Sequence, residues 1–260
     1  MVVTGSATGV RDGDLLRRHL APAVAVTQRE NLAVLNLQGP SAAEILSKVA
    51  PGTAFDADAF PYMTWARIEV AAGGIGVLAG RASFVGESGW EMYVDYADAC
   101  ALLDALLAAG APLGMRLAGY RAIESLRLEA GYRVWGRDVA PDINPFEAGL
   151  GFAVKLDKPQ GFPGKDALAR IRERALSRRL RLFSFDAADA PGPPVHGGEA
   201  IYRNGNRGEP ATSAGRSLDR YIVYALVDEE GGRGDGDEFT VDRAGLQTVL
   251  TPFLPVSKRC

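Results

Sequence analysis

A chain of 260 residues with 47% apolar side chains has material for a substantial core, in one large or two modest domains. Its net charge of −3, with acidic and basic residues interspersed, gives no electrostatic basis for binding nucleic acid. Cys100 and Cys260 are the only cysteines and His19 and His196 the only histidines, which excludes a disulfide framework, a cysteine zinc site and a histidine-rich metal centre. The start has no basic segment followed by an apolar one, and no apolar run reads as long enough to span a membrane. The expectation is therefore a soluble protein of a reducing compartment, the cytoplasm, with no membrane partner.

Met1 to Thr4 has strand character and runs straight into a loop, an abrupt opening for a domain. Leu15, Leu16, His19 and Leu20 recur at helical spacing, and Val24–Thr27 and Leu32–Leu37 alternate as strands. Ser41 and Glu44 after Gly39-Pro40 predict a capping box opening a helix that turns Ile45, Leu46 and Val49 inward and stops before Pro51. Strands follow at Trp65–Val70, Ile75–Leu78 and Gly89–Val94, the first two joined at Gly73-Gly74, and a helix from Asp95 to Ala109 closes at Gly110. Gly86 and Gly89 allow positive φ in the turn Gly86-Glu87-Ser88-Gly89. The alternation after it sends Glu91 out of the sheet opposite Trp90.

Gly119 to Gly131 reads as one helix ended by a glycine, with Arg127 at its apolar border and in need of an anionic or carbonyl partner. A strand is expected at Gly151–Leu156 and a basic amphipathic helix at Gly164–Leu176, whose arginines read as a solvated face. Beyond Ser177 the runs Arg179–Phe185, Ala200–Arg203, Tyr221–Val227, Glu238–Asp242 and Leu246–Leu250 describe a small all-β domain, barrel or sandwich. The fold class is α+β, with an α/β domain over residues 1–175 and a β domain over 176–260.

The chemistry is carried by few residues. Glu91 offers two in-plane acceptors suited to an N–H beside an amino group, as on a pterin, guanine or guanidinium edge; its bland alternative is an exposed strand glutamate. Arg121 and Arg127 suit an anionic ligand group, or ion pairs with Glu124 or Glu129 one turn away. Phe84, Trp90 and Trp135, with Tyr120 and Tyr132, offer flat faces for a planar ring, or belong to the core. No nucleophile motif, phosphate-binding loop or dinucleotide fingerprint is present. On the residues alone the reading ends at a two-domain protein with a planar-ligand pocket, and no catalytic residue is assigned.

Taken together, Leu37-Gln38-Gly39-Pro40-Ser41-Ala42, Gly86 to Glu91, Ser125 to Gly131 and Phe146 to Gly151 resemble, in order, motifs of the glycine cleavage T-protein family of folate-dependent aminomethyltransferases. Thr251 to Pro255 resembles that family's last strand, and the likeness covers nearly the whole chain. Tyr132 to Asp138 is most similar to the folate-binding part of dimethylglycine and sarcosine dehydrogenases. The resemblance implies a folate-binding domain followed by a small β-barrel, tetrahydrofolate as cofactor, and Glu91 on the pterin edge. It also implies a small-molecule one-carbon donor, with a lipoyl carrier protein or a flavin dehydrogenase domain as partner. Ile123 stands where T-proteins carry an arginine, with Arg121 two residues earlier, and the family's aspartate that acts on N5 lies upstream of the matched part. Asp12 and Asp14 do not match it. The expectation is thus a fragment, a sequence with a misplaced start or a shortened homologue, active in one-carbon transfer or, alternatively, a folate-binding module without catalysis.

Overall fold

The computed structural model describes all residues except 6, 189–191, 218, 230–236, 254 and 256–260. The chain forms two compact units, the first made of Met1–Ala82 and Gly89–Met115, the second of Ser83–Ser88 and Arg116–Cys260. The boundary expected at 175/176 falls inside the second unit, shortly before its barrel begins.

The first unit opens with α1 (Gly9–His19), which buries none of its residues. Its sheet has four antiparallel strands, β1 (Leu32–Gln38), β2 (Trp65–Val70), β3 (Ile75–Gly80) and β4 (Gly89–Asp95), in the order β1-β4-β3-β2. Between β1 and β2, α2 (Ala42–Val49) turns Ile45, Leu46 and Val49 inward as its spacing requires. Gly73 and Gly74, at φ 81° and 62°, make the β2–β3 turn. After β4, α3 (Ala99–Gly110) lays Leu102 and Leu106 on the same core, which Phe55, Phe60, Trp90 and Met92 complete.

Several expectations for this unit are corrected. Residues 1–4 and 24–27 form no strand. The capping box is not made: Ser41 sits at ψ 2°, outside the extended region from which a capping oxygen reaches back, and Glu44 instead pairs with Lys48 at 2.9 Å. Gly86 has φ 74°, but Gly89 does not use positive φ. Gly89 is required by crowding, since a Cβ there would lie 2.3 Å from the Leu37 carbonyl oxygen on β1. The stretch Tyr96–Leu113 is helical and apolar enough, by length and composition, to meet a membrane-span criterion. Its α-helical part has 12 residues, about 18 Å, well short of a ~30 Å hydrocarbon layer, and it supplies core residues to the first unit.

In the second unit α4 (Tyr120–Glu129) ends in a Schellman motif. The Tyr132 N–H donates to the Arg127 carbonyl (2.8 Å) and the Gly131 N–H to that of Leu128 (3.0 Å), with Gly131 left-handed at φ 70°. The stretch expected as a strand at Gly151–Leu156 holds a single 3-10 turn, Gly151–Ala153, and α5 spans Lys165–Arg172. A closed barrel follows, β5 (Arg178–Asp186), β6 (Ala200–Arg203), β7 (Asn206–Arg216), β8 (Arg220–Asp228), β9 (Phe239–Arg243) and β10 (Leu246–Pro252), ordered β10-β5-β8-β7-β6-β9. Closure settles the barrel-or-sandwich question and removes exposed edges. The sequence reading missed β7, whose small and polar residues carry no apolar alternation. Leu254, in the terminal stretch compared with the family's last strand, lies outside the described residues.

Candidate functional site

Strand alternation divides β4 between two tasks. Trp90 points into the core of the first unit, fully buried and edge-on to Phe55 and Phe60 at 5.5 and 5.9 Å, with the Arg81 guanidinium 5.4 Å from its ring centre. Its indole is a core group, which corrects its assignment as a ligand-stacking residue: no face is open to a second ring.

Glu91 leaves β4 on the other face, half-buried. It is registered with Asn36 of β1 on one side and Gly80 of β3 on the other. The Tyr93 phenol, two residues on and so on the same face, donates to Glu91 Oε2 at 2.8 Å. Burial, followed by that bond and the Glu91 charge, pushes the Tyr93 phenol well above its usual range, so it stays protonated and remains a donor. Glu91 Oε1 has no partner among the described residues. Beside it, the Trp65 indole lies across Gly80, where a Cβ would be 2.2 Å from the ring, and tilts against Tyr93 at 5.5 Å. Trp65 keeps 43% of its surface exposed. A carboxylate with open acceptor positions thus adjoins an accessible aromatic face. Sequence reading missed Trp65 and Tyr93, although the i, i+2 rule already puts Tyr93 on the Glu91 face.

Arg127, in the second unit, has a different role from the one first given to it. Its side chain is fully buried and its donors are engaged: Nε (3.1 Å) and Nη2 (2.6 Å) with Glu124 Oε2, Nη1 with Asp138 Oδ2 (2.6 Å) and with the Tyr132 carbonyl (3.0 Å). Asp138, equally buried, also accepts from the Val134 N–H at 2.9 Å and from the Thr212 hydroxyl of β7 at 2.7 Å. The anionic and carbonyl partners that its position demands are therefore supplied by the chain itself, and full burial closes the guanidinium to a ligand's carboxylate. The Tyr224 phenol of β8 donates to the Gly131 carbonyl, and Ser125 Oγ to that of Arg216 at 2.6 Å, so α4 and the loop after it are laced to the barrel.

Arg121 is exposed in the first turn of α4, with no ion pair among the described residues. Phe84 is 42% exposed and stacks on Tyr132 with ring centres 5.8 Å apart. Trp135 is half exposed and bridges Val139 through the backbone. Among the described residues no group of three His, Cys, Asp or Glu side chains could hold a metal ion.

Comparison with known proteins agrees with this layout. A family model described as the GCVT N-terminal domain matches residues 1–158. Human mitochondrial sarcosine dehydrogenase is 38% identical over 251 residues, covering 90% of this chain and 26% of its own length. The aminomethyltransferase of Bacillus licheniformis is 34% identical over 258 residues, covering 97% of this chain and 69% of its own. The chain thus spans about a quarter of the dehydrogenase and about two thirds of the aminomethyltransferase. The crystal structure of the glycine cleavage system aminomethyltransferase T from Bartonella henselae superposes with a TM-score of 0.61 at 21% identity, covering 88% of this chain and 85% of that one, which shows a shared fold. The chain belongs to the GCVT family of aminomethyltransferases and the dehydrogenases related to them.

Proposed function

We propose that the chain binds tetrahydrofolate and serves in one-carbon transfer, with Glu91 as the residue that recognises the pterin. The observation that carries this reading is the half-satisfied carboxylate of Glu91. A carboxylate has about four lone-pair positions. Tyr93 occupies one through Oε2 and itself packs against the Trp65 indole, and Oε1 has no partner among the described residues. A reduced pterin presents a ring N–H next to an amino group, a pair of donors that matches a carboxylate edge, and a flat body that matches Trp65. The residues present therefore fit this cofactor.

When bound, tetrahydrofolate supplies a nucleophilic nitrogen that accepts the one-carbon unit. The chain's own part is to hold the ring system. Glu91 receives the N–H pair, Tyr93 orients that carboxylate, and Trp65 covers one side from water. The donor is a small secondary or tertiary amine oxidised elsewhere, or an aminomethyl group on a carrier. The partner, accordingly, is a flavin dehydrogenase domain or a lipoyl carrier protein, since relatives of this chain are named both sarcosine dehydrogenase and aminomethyltransferase.

Calorimetric titration with tetrahydrofolate under anaerobic conditions tests the reading. Saturable binding at one site per chain is expected, and addition of formaldehyde is expected to be consumed faster with the protein than with tetrahydrofolate alone. No binding at millimolar ligand would overturn the proposal, and binding without acceleration would reduce it to a folate-binding module.

A further inference from the structure

Outside the Glu91 surface, the second unit has a cavity of about 490 Å³ bounded by the loop around Phe146, the end of α5 with the segment after it, and the first turn of β5. Its apolar lining includes Phe146, Ile171 and Leu176, and its only charged lining residues are Arg172, Arg174 and Arg179, with no carboxylate among them. Its volume lies in the range that encloses small ligands.

The neighbouring arginine shows that these three are unusual. Arg178 points to the other side of β5 and is neutralised, with Nε 3.2 Å from Glu147 Oε1 and a further bond to the Asp142 carbonyl. Glu147 is in turn held by the Asn144 N–H at 2.9 Å. The side chains of Arg172, Arg174 and Arg179 have no ion pair and no hydrogen bond to any described residue. Arg179 Nε is moreover buried from solvent with no partner, a group that costs stability unless something else binds it. Cations in the last turn of α5 complement its dipole, which accounts for Arg172 but not for Arg174 or Arg179 beyond the helix.

We infer that this cavity is an anion site for a small organic molecule bearing at least two carboxylate or phosphate groups. Guanidinium forks match the planar oxyanion groups of such a ligand, and the apolar side chains beside them suit its hydrocarbon part. One sign of charge in a concave site also concentrates anions there before binding. This revises the expectation that the arginines of this basic stretch only face solvent.

The test is calorimetry on the full chain with two probes, 1,3,5-benzenetricarboxylate and inorganic pyrophosphate, at fixed ionic strength. Saturable one-to-one binding of at least one probe is expected, the tricarboxylate indicating a carboxylate ligand and the pyrophosphate a phosphate ligand. Arg172→Gln with Arg174→Gln, both exposed and safe for folding, is expected to weaken it by roughly tenfold or more, and Arg179→Gln by a similar factor. Lys155→Gln with Lys158→Gln, which alters exposed charge away from the cavity lining, is expected to leave it unchanged. Absence of saturable binding of both probes, or equal binding by the Arg172/Arg174 variant, would overturn the inference. So would equal weakening by the two lysine changes, which would mark general surface charge. Because tetrahydrofolate binding at Glu91 is measured separately, failure here leaves that reading intact.

Discussion

Glu91 and Asp138 are both carboxylates next to a tyrosine or arginine, and their surroundings lead to opposite uses. Asp138 is fully buried and saturated, with one oxygen shared by Arg127 and the Val134 N–H and the other taken by Thr212. Glu91 is half-buried on an open sheet face with one bond from Tyr93 and a free oxygen. A buried ionic group with both oxygens engaged holds structure; the same group left incomplete at an accessible face is a candidate to meet a ligand. Arg127, within the motif Ser125 to Gly131, belongs with Asp138 to the first class, and the proposed function puts Glu91 in the second.

The largest effect should come from breaking the saturated cluster. Asp138→Ala leaves the buried Arg127 with Glu124 as its one remaining carboxylate partner and strips the Val134 N–H and the Thr212 hydroxyl of their acceptor, a loss of roughly 3–5 kcal/mol. For a chain of this size that lowers the thermal midpoint by about 10 °C, readable by calorimetry. Asp138→Asn, which keeps the Thr212 and backbone bonds, is expected to cost less.

A second effect is alkaline. Burial pushes the Tyr224 phenol up to about 12 against an ordinary value of 10.0. Its folded value is the higher, so its contribution is complete below pH 10 and is lost as pH rises from 10 towards 12. The thermal midpoint of the wild type should fall more steeply above pH 10 than that of Tyr224→Phe. Parallel slopes would show that the phenol is not held by the fold.

The smallest effect is expected at the open site. Tyr93→Phe removes the bond that orients the Glu91 carboxylate and no bond to the ligand itself, and should weaken tetrahydrofolate binding by about two- to tenfold. Since the Tyr93 phenol is held well above its usual range, that ratio should not change between pH 6 and 9.

Much of the fold was legible. The alternation of β2, β3 and β4, the inward residues of α2, and the glycine that ends α4 follow from local rules and stand as read. What failed lacked a local signal. β7, Asn206–Arg216, contains Gly208, Pro210 and Gly215 and is a strand because β6 and β8 close the barrel around it, with register shifts on both sides. Residues 151–156 alternate like a strand but meet no partner. Trp90 and Arg127 have ligand-binding residue types, and only burial shows that their valences and faces are spent inside the protein. Tyr93 and Trp65 became visible as partners of Glu91 through strand register, which places Trp65 opposite Gly80 and Gly80 opposite Glu91.

The most direct test of the contrast is Glu91→Ala, with tetrahydrofolate affinity and thermal midpoint measured on the same preparation. Removing a charged acceptor that meets a ligand should weaken binding by about ten- to a hundredfold, while the midpoint moves by no more than a degree or two. An unchanged affinity, or a midpoint that falls as far as that of Asp138→Ala, would contradict the assignment of Glu91 to the ligand.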